Sequence, residues 1–234
     1  MIVIGFRRGS IKNNRMNSYK ITKNNNLVVH DRRYNCIIGG ADEAGRGPLA
    51  GPVVCASVIM PLDDNNLIAG VRDSKQIGEK ERELLYEQII ATATEYHVAA
   101  IDNKIIDLIN ILEATKRGLA QSVNELTIQA DIILVDAIRQ LDTSRKIEGI
   151  IKGDSKSYNI AAASIIAKVT RDRIMRKYDI QFPGYGFASH KGYPTQAHYN
   201  AIEKHGLTAI HRRSFLVRSN KYLTADKIRL SRDF

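Results

Sequence analysis

Apolar residues along this chain fall into short runs separated by polar turns, and their spacing changes from run to run. Cys36–Ala41 and Val53–Met60 read as β-strands, joined by a glycine-rich turn that carries Asp42 and Glu43. Glu79–Thr94 has helical spacing, with Leu84, Leu85, Ile89 and Ile90 on one side. Tyr96–Ile101 reads as a third strand, and Asn103–Leu126 as a helix broken near Asn110. Asp131–Val135 is a continuous apolar run of the kind found in buried central strands, and it ends in Asp136. Glu148–Lys152 is a further short strand leading to Gly153-Asp154-Ser155. Asn159–Gln181 reads as a long helix. Its first half carries Ala161, Ala162, Ala163 and Ala167, small enough to sit close against a sheet, and its second half turns basic. A Gly/Pro/aromatic loop, Phe182–Pro194, and a last helix near Thr195–His205 follow. No internal repeat interrupts this order. The pattern predicts an α/β fold, a mixed central β-sheet flanked by α-helices with a C-terminal helical segment.

The ends differ from the centre. Residues 1–35 lack sustained periodicity and hold eight Lys or Arg against one acid, so a basic, disordered N-terminal arm is expected there. Residues 219–234 read as a basic tail, which leaves residues 36–218 as one domain. The net charge of +10 is concentrated at the two ends and the centre is slightly acidic. That distribution suits ends that grip a polyanion and a centre that binds a cation. Cys36 and Cys55 are too few and too far apart for a metal knuckle or a disulfide framework, which points to reduced cytosolic thiols and a cytoplasmic protein. No apolar run approaches the ~20 residues that span a bilayer. The opening Met1–Ile4 run is too short for a signal-peptide core.

The chemistry concentrates at strand ends. Asp42 and Glu43 are adjacent and are followed at once by Gly45-Arg46-Gly47. Hard divalent cations want carboxylate oxygens, whereas phosphates want arginine and exposed backbone N–H groups. One acid after an apolar strand is more often a turn-former or helix cap than a ligand. Four acids in such places, Asp42, Glu43, Asp136 and Asp154, weaken that reading. Clustered carboxylates repel and cannot all stay ionised at close range without a cation. A pair of Mg2+ or Mn2+ ions resolves the repulsion, and two such ions suit in-line displacement at a phosphodiester.

In order along the chain, these residues resemble the type 2 ribonucleases H, bacterial ribonuclease HII in particular. The resemblance runs through Asp42-Glu43-Ala44-Gly45-Arg46-Gly47-Pro48 and on to Val54, then Asp73-Ser74-Lys75, Val135-Asp136-Ala137 and Lys152-Gly153-Asp154-Ser155. It continues through Ala161–Asp172, His190-Lys191-Gly192-Tyr193-Pro194-Thr195 and His211-Arg212-Arg213-Ser214-Phe215. It implies a ribonuclease H-like fold and an endoribonuclease that cleaves the RNA strand of RNA/DNA hybrids. It also implies incision 5′ to single ribonucleotides embedded in duplex DNA, leaving 3′-hydroxyl and 5′-phosphate ends.

By the same resemblance, Asp42, Glu43, Asp136 and Asp154 form the catalytic, metal-binding set for two divalent cations. Gly45, Arg46 and Gly47 would read the ribose 2′-hydroxyl through their backbone, since a backbone reaches a ribose only where no Cβ intrudes. Tyr193 would stack on the sugar of the next deoxynucleotide. Lys75 and Lys168 are substrate-binding candidates, and Asp172 is expected to support the site or lie on the helix face rather than ligate metal. His190, His198, His205 and His211 show no ligand spacing that the carboxylate set needs and are read as structural or substrate-peripheral. The partner is nucleic acid, with no membrane, and a monomer is expected. Two alternatives stay open: a ribonuclease HIII-type enzyme, and a non-catalytic hybrid-binding protein with the same fold.

Overall fold

A computed structural model describes residues 2–6, 26–138 and 140–218. Its elements run β1 (Ile2–Phe6), α1 (Asn26–Arg32), β2 (Ile38–Ala44), β3 (Val53–Ile59), α2 (Glu79–Thr92), β4 (Glu95–Ile101) and α3 (Asn103–Asn124). They continue with β5 (Ile132–Asp136), β6 (Ile147–Ile150), α4 (Tyr158–Gln181), α5 (Phe187–His190), α6 (Gln196–His205) and α7 (Arg213–Arg218). Two 3-10 turns, Ser74–Gln76 and Gly153–Ser155, sit beside the sheet.

The strands form one mixed sheet in the order β1-β4-β3-β2-β5-β6. β2 and β5, and β5 and β6, pair parallel, while the other neighbours pair antiparallel. Every residue of β3 is buried, because the sheet is covered on both faces. Val53, Cys55 and Ile59 face Ile106, Leu119 and Val123 of α3. The alternate residues Val54, Ala56 and Val58 face α2 and α4 through Leu85, Ile89, Ala161, Ala162 and Ile165. Each buried branched side chain contributes about 1.5–3 kcal/mol over its exposed state.

The alanines of α4 let it lie very close to β2. A Cβ added at Gly40 would come within 2.2 Å of the Asn159 carbonyl carbon, so only glycine fits there. That close approach draws the Gly153–Ser155 turn, just before α4, up to the sheet edge. A third apolar cluster, with Leu49, Met175, Phe187, Ile202 and Leu216, fastens the C-terminal helices to the strap between β2 and β3.

Several expectations are corrected. A helix already forms at Asn26–Arg32, ahead of the start expected at Cys36, and Ile2–Phe6 forms a strand beside β4 within the expected arm. The reason at α1 is Asp31, which is 1% exposed. Its carboxylate accepts the Asn159 N–H at 2.9 Å and the Ser157 hydroxyl at 3.1 Å, so α1 is bonded to the start of α4. Residues 7–25 and the tail 219–234 lie outside the described residues.

Asp42 and Glu43 stand within β2, not in a turn, since the ladder to β3 continues through Ala44↔Val54. Leu84 is 65% exposed, while Leu85 and Ile89 turn inward. The loop expected at 182–194 contains α5, and α7 lies beyond the last expected helix. The break expected near Asn110 is present, with φ of 66°, and the Asn110 side chain accepts the Leu112 N–H to restart the helix.

Candidate active site

Sheet register brings the acids together. Ala41 of β2 pairs with Val135 of β5, so the next rung sets Asp42 beside Asp136. Asp136 pairs in turn with Ile150 of β6. The Gly153 N–H donates to Asp136 Oδ1 at 2.8 Å, which ties the end of β5 to the turn that carries Asp154. Asp154 Oδ2 meets Lys75 Nζ at 3.2 Å, and the lysine side chain remains largely exposed. Glu43 Oε1 meets Arg46 at 3.4 Å. Glu43 Oε2 is buried without a hydrogen-bond partner.

The electrostatics follow from burial and crowding. Desolvation pushes the Asp42 carboxyl well above the usual range, and the neighbouring charges of Glu43, Asp136 and Asp154 push it further. Burial also raises Glu43 against the pull of Arg46, and raises Asp154 against the pull of Lys75. A pocket that resists holding its own negative charge is one that a cation would stabilise. Successive strand residues leave on opposite faces, so Asp42 and Glu43 diverge. Among the described residues no three His, Cys, Asp or Glu side chains are arranged to hold one ion, so the acids share an edge without a closed cage. The hard oxygen donors and the orphaned Glu43 Oε2 fit a hard divalent cation.

Beside the acids, Gly45-Arg46-Gly47 opens the strap to β3. Two fully buried arginines hold that strap from behind, and neither is within ion-pairing distance of a carboxylate among the described residues. Arg212 donates to the carbonyls of Gly45 at 2.7 Å, Arg46 at 3.0 Å and Gly51 at 2.9 Å. Arg171 donates to the carbonyls of Pro52 at 3.0 Å, Lys191 at 3.0 Å and Ala50 at 3.2 Å. Desolvation lowers their pKa values to about 10 for Arg171 and about 9 for Arg212, so both stay charged at neutral pH.

In a trans peptide the N–H points away from the C=O. With the Gly45 and Arg46 carbonyls turned to Arg212, the Arg46 and Gly47 N–H groups face outward. Neither takes part in the backbone bonding of the turn. Tyr193 borders the same opening, 38% exposed, with its ring 5.7 Å from the Arg171 guanidinium and 5.9 Å from Lys168 Nζ. Lys168 is half-buried and paired with Asp172 at 2.7 Å, and Arg82 reaches the same carboxylate at 3.4 Å. Asp172 thus serves the basic face of α4 and stands apart from the four acids.

A sequence profile of the Ribonuclease HII family matches residues 39–218. The chain belongs to the ribonuclease HII family. It is 54% identical over 180 residues to the ribonuclease HII of Ruminiclostridium cellulolyticum, covering 76% of this chain and 69% of that protein. It is 52% identical over 189 residues to that of Clostridioides difficile, covering 80% and 72%. Among solved structures, ribonuclease H2 from Pyrococcus horikoshii OT3 superposes with a TM-score of 0.63 at 30% identity, covering 79% of this chain and 99% of that one. A ribonuclease HII from Archaeoglobus fulgidus, solved in complex with PCNA, gives 0.67 at 28% identity, covering 81% and 99%.

Ribonuclease HII membership makes the chain an endoribonuclease acting on RNA/DNA hybrids. That excludes the non-catalytic alternative and sets aside the ribonuclease HIII reading. No helix among the described residues is long and apolar enough to cross a membrane. Arg171 and Arg212 lie within the sequence motifs, yet their scaffold role shows only in the fold, where both are buried.

Proposed function

We propose that this ribonuclease HII incises duplex DNA 5′ to a single embedded ribonucleotide, and cleaves RNA/DNA hybrids, by two-metal hydrolysis. One observation supports the reading: the Gly45-Arg46-Gly47 turn, held from behind by Arg212, borders the sheet edge that carries Asp42, Glu43, Asp136 and Asp154. A phosphate seated over the acids therefore has a backbone able to read its sugar.

Asp42, Glu43, Asp136 and Asp154 would hold two divalent cations, Mg2+ or Mn2+. When bound, such a pair supplies a water of lowered pKa and neutralises charge at the leaving 3′-oxygen. The protein supplies position. Asp136 is oriented by the Gly153 N–H, and Asp154 by Lys75, whose exposed ammonium also faces the phosphate path. The outward N–H groups of Arg46 and Gly47 meet the 2′-hydroxyl, a group that deoxyribose lacks. Tyr193 stacks on the following deoxyribose, with Lys168 and Arg171 beneath its ring. Arg46 and the basic ends attract the backbone.

The test is cleavage of duplex DNA that carries one ribonucleotide, with and without Mg2+ or Mn2+, with the cut position mapped. A divalent-dependent cut on the 5′ side giving a 3′-hydroxyl is expected. Cleavage of continuous hybrids alone, or a cut on the 3′ side, would refute the reading.

A further inference from the structure

Behind Tyr193 lies a histidine cluster that the reaction described above does not use. His198 is fully buried and His211 is 2% exposed, and His190 stacks on His198 with ring centroids 4.5 Å apart. Their partners fix every ring proton. The Thr208 N–H donates to His211 Nδ1 at 2.8 Å, so His211 carries its proton on Nε2. That proton faces His198 Nε2 at 3.1 Å, which therefore accepts. His198 then carries its own proton on Nδ1 and donates it to the Tyr193 carbonyl at 3.0 Å. His190 is fixed in the same manner. It accepts the Gly192 N–H on Nδ1 at 3.1 Å and donates from Nε2 to the Tyr185 carbonyl at 2.8 Å.

We propose that His198 and His211 are positioning residues for substrate recognition, forming a one-way hydrogen-bond relay from the Thr208 amide to the Tyr193 carbonyl that sets the place of the Tyr193 ring. The inference rests on the reading of Tyr193 as a substrate contact. Two imidazoles in an apolar cluster cost desolvation that Phe or Leu would avoid, so packing alone does not account for them. The relay also ties the two recognition elements into one frame. His211 pairs with Ala50 of the strap, and its neighbour Arg212 holds the Gly45 and Arg46 carbonyls. A Cβ at Gly47 would lie 3.8 Å from the Tyr193 ring, so the turn and the tyrosine border one opening.

The relay works only when both rings are neutral, since a proton added to His198 sets its Nε2–H against that of His211, and one added to His211 sets Nδ1–H against the Thr208 N–H. The titratable groups against the pair are His190 on α5 and Tyr185 before it, and neither His198 nor His211 pairs with a carboxylate among the described residues. Burial holds His198 down to about 4 and His211 to about 3, which keeps the relay intact at neutral pH.

The experiment compares two substrates in the metal-loaded full chain: duplex DNA with one ribonucleotide, and a continuous RNA/DNA hybrid. For His198→Phe, kcat/KM on the single ribonucleotide should fall about tenfold or more, with hybrid cleavage kept within about twofold. His198→Asn retains a donor near the Nδ1 position and should recover most of that loss. In parallel, 15N NMR of the wild-type rings should show Nδ1–H at His198 and Nε2–H at His211, a readout that needs no folded variant. Equal losses on both substrates, failure of Asn to rescue, or the opposite tautomers would overturn the relay. Tyr193→Ala separates the two ideas. If it shifts the substrate ratio and His198→Phe does not, the relay falls and the Tyr193 reading stands. If it leaves the ratio unchanged, the Tyr193 reading fails and the relay falls with it.

Discussion

Gly45 and Gly47 flank the same arginine, yet alanine at the two positions should act through different physics. At Gly45 the backbone has φ of +100°, and an added Cβ would lie 2.0 Å from Arg171 Nε, 2.4 Å from its Cδ and 2.9 Å from the Pro52 carbonyl oxygen. Arg171 cannot give way, because it is fully buried and bonded to three carbonyls. Losing one charge-assisted bond costs about 1.5–3 kcal/mol. Left-handed backbone adds about 1–2 kcal/mol. The sum, about 2.5–5 kcal/mol, is a large share of the ~5–15 kcal/mol that stabilises a typical domain. At Gly47 the nearest atom to a new Cβ is Tyr193 Cε1 at 3.8 Å, an ordinary contact, so the stability change should stay within about 0.5 kcal/mol. On the proposed reading of the turn, the methyl would instead occupy the space through which the ribose approaches. Urea unfolding midpoints at unchanged m-value report the first effect, and cleavage at a single ribonucleotide reports the second. Gly45→Ala should lower the midpoint sharply, while Gly47→Ala should keep it and lose cleavage about tenfold or more. A wild-type midpoint for Gly45→Ala, or wild-type cleavage by Gly47→Ala, would refute the reasoning.

Further outcomes follow from the acids and the buried histidines. Asp42→Asn and Asp154→Asn should abolish cleavage while leaving hybrid binding largely intact, and near-normal activity in both would remove the assignment. In EDTA, Asp42→Asn should raise the unfolding midpoint, since burial and the nearby Glu43 charge make that carboxylate unfavourable. A lowered midpoint in scanning calorimetry would contradict this. Adding Mn2+ or Mg2+ at a hundredfold excess over its Kd should stabilise the wild type by about 2.7 kcal/mol, an effect that should vanish in Asp42→Asn. Burial sets His198 at about 4 and His211 at about 3, below the ordinary 6.5 of an unfolded histidine. Their contribution is complete above pH 6.5 and is lost as the pH falls, because the unfolded chain takes up protons first. The loss approaches about 1.4 kcal/mol per pH unit for each ring and levels off near the folded values. Urea titrations at pH 7, 5.5 and 4.5 measure it, and replacing His198 with Phe should flatten the slope.

Much of the frame was legible from local pattern. β3, β4, β5 and the long helices appear where their spacing places them, because side-chain periodicity is a property of each segment alone. Even the interruption at Asn110 shows, since Asn both tolerates positive φ and caps the helix that follows. The four carboxylates could be singled out by their positions at the ends of apolar runs. Their arrangement could not, because it depends on parallel register between β2 and β5, strands some 90 residues apart in sequence.

The remaining misses share one cause. α1 is too short for its periodicity to count, and what anchors it is the bond from Asp31 to Asn159. Leu84 differs from Leu85 only in which of them α4 covers. Arg171 and Arg212 belong to a residue type usually found at the surface, and the partners that hold His198 and His211 in place are equally invisible in the sequence. Their burial is tolerable because the strap, the Tyr193 loop and the Thr208 turn present carbonyls and an amide to satisfy them. Local pattern and motif order were enough for the central strands, the long helices and the family. Only the tertiary structure decided which polar groups became scaffold, because their partners are backbone atoms from distant segments, and backbone atoms leave no mark in the pattern of side chains.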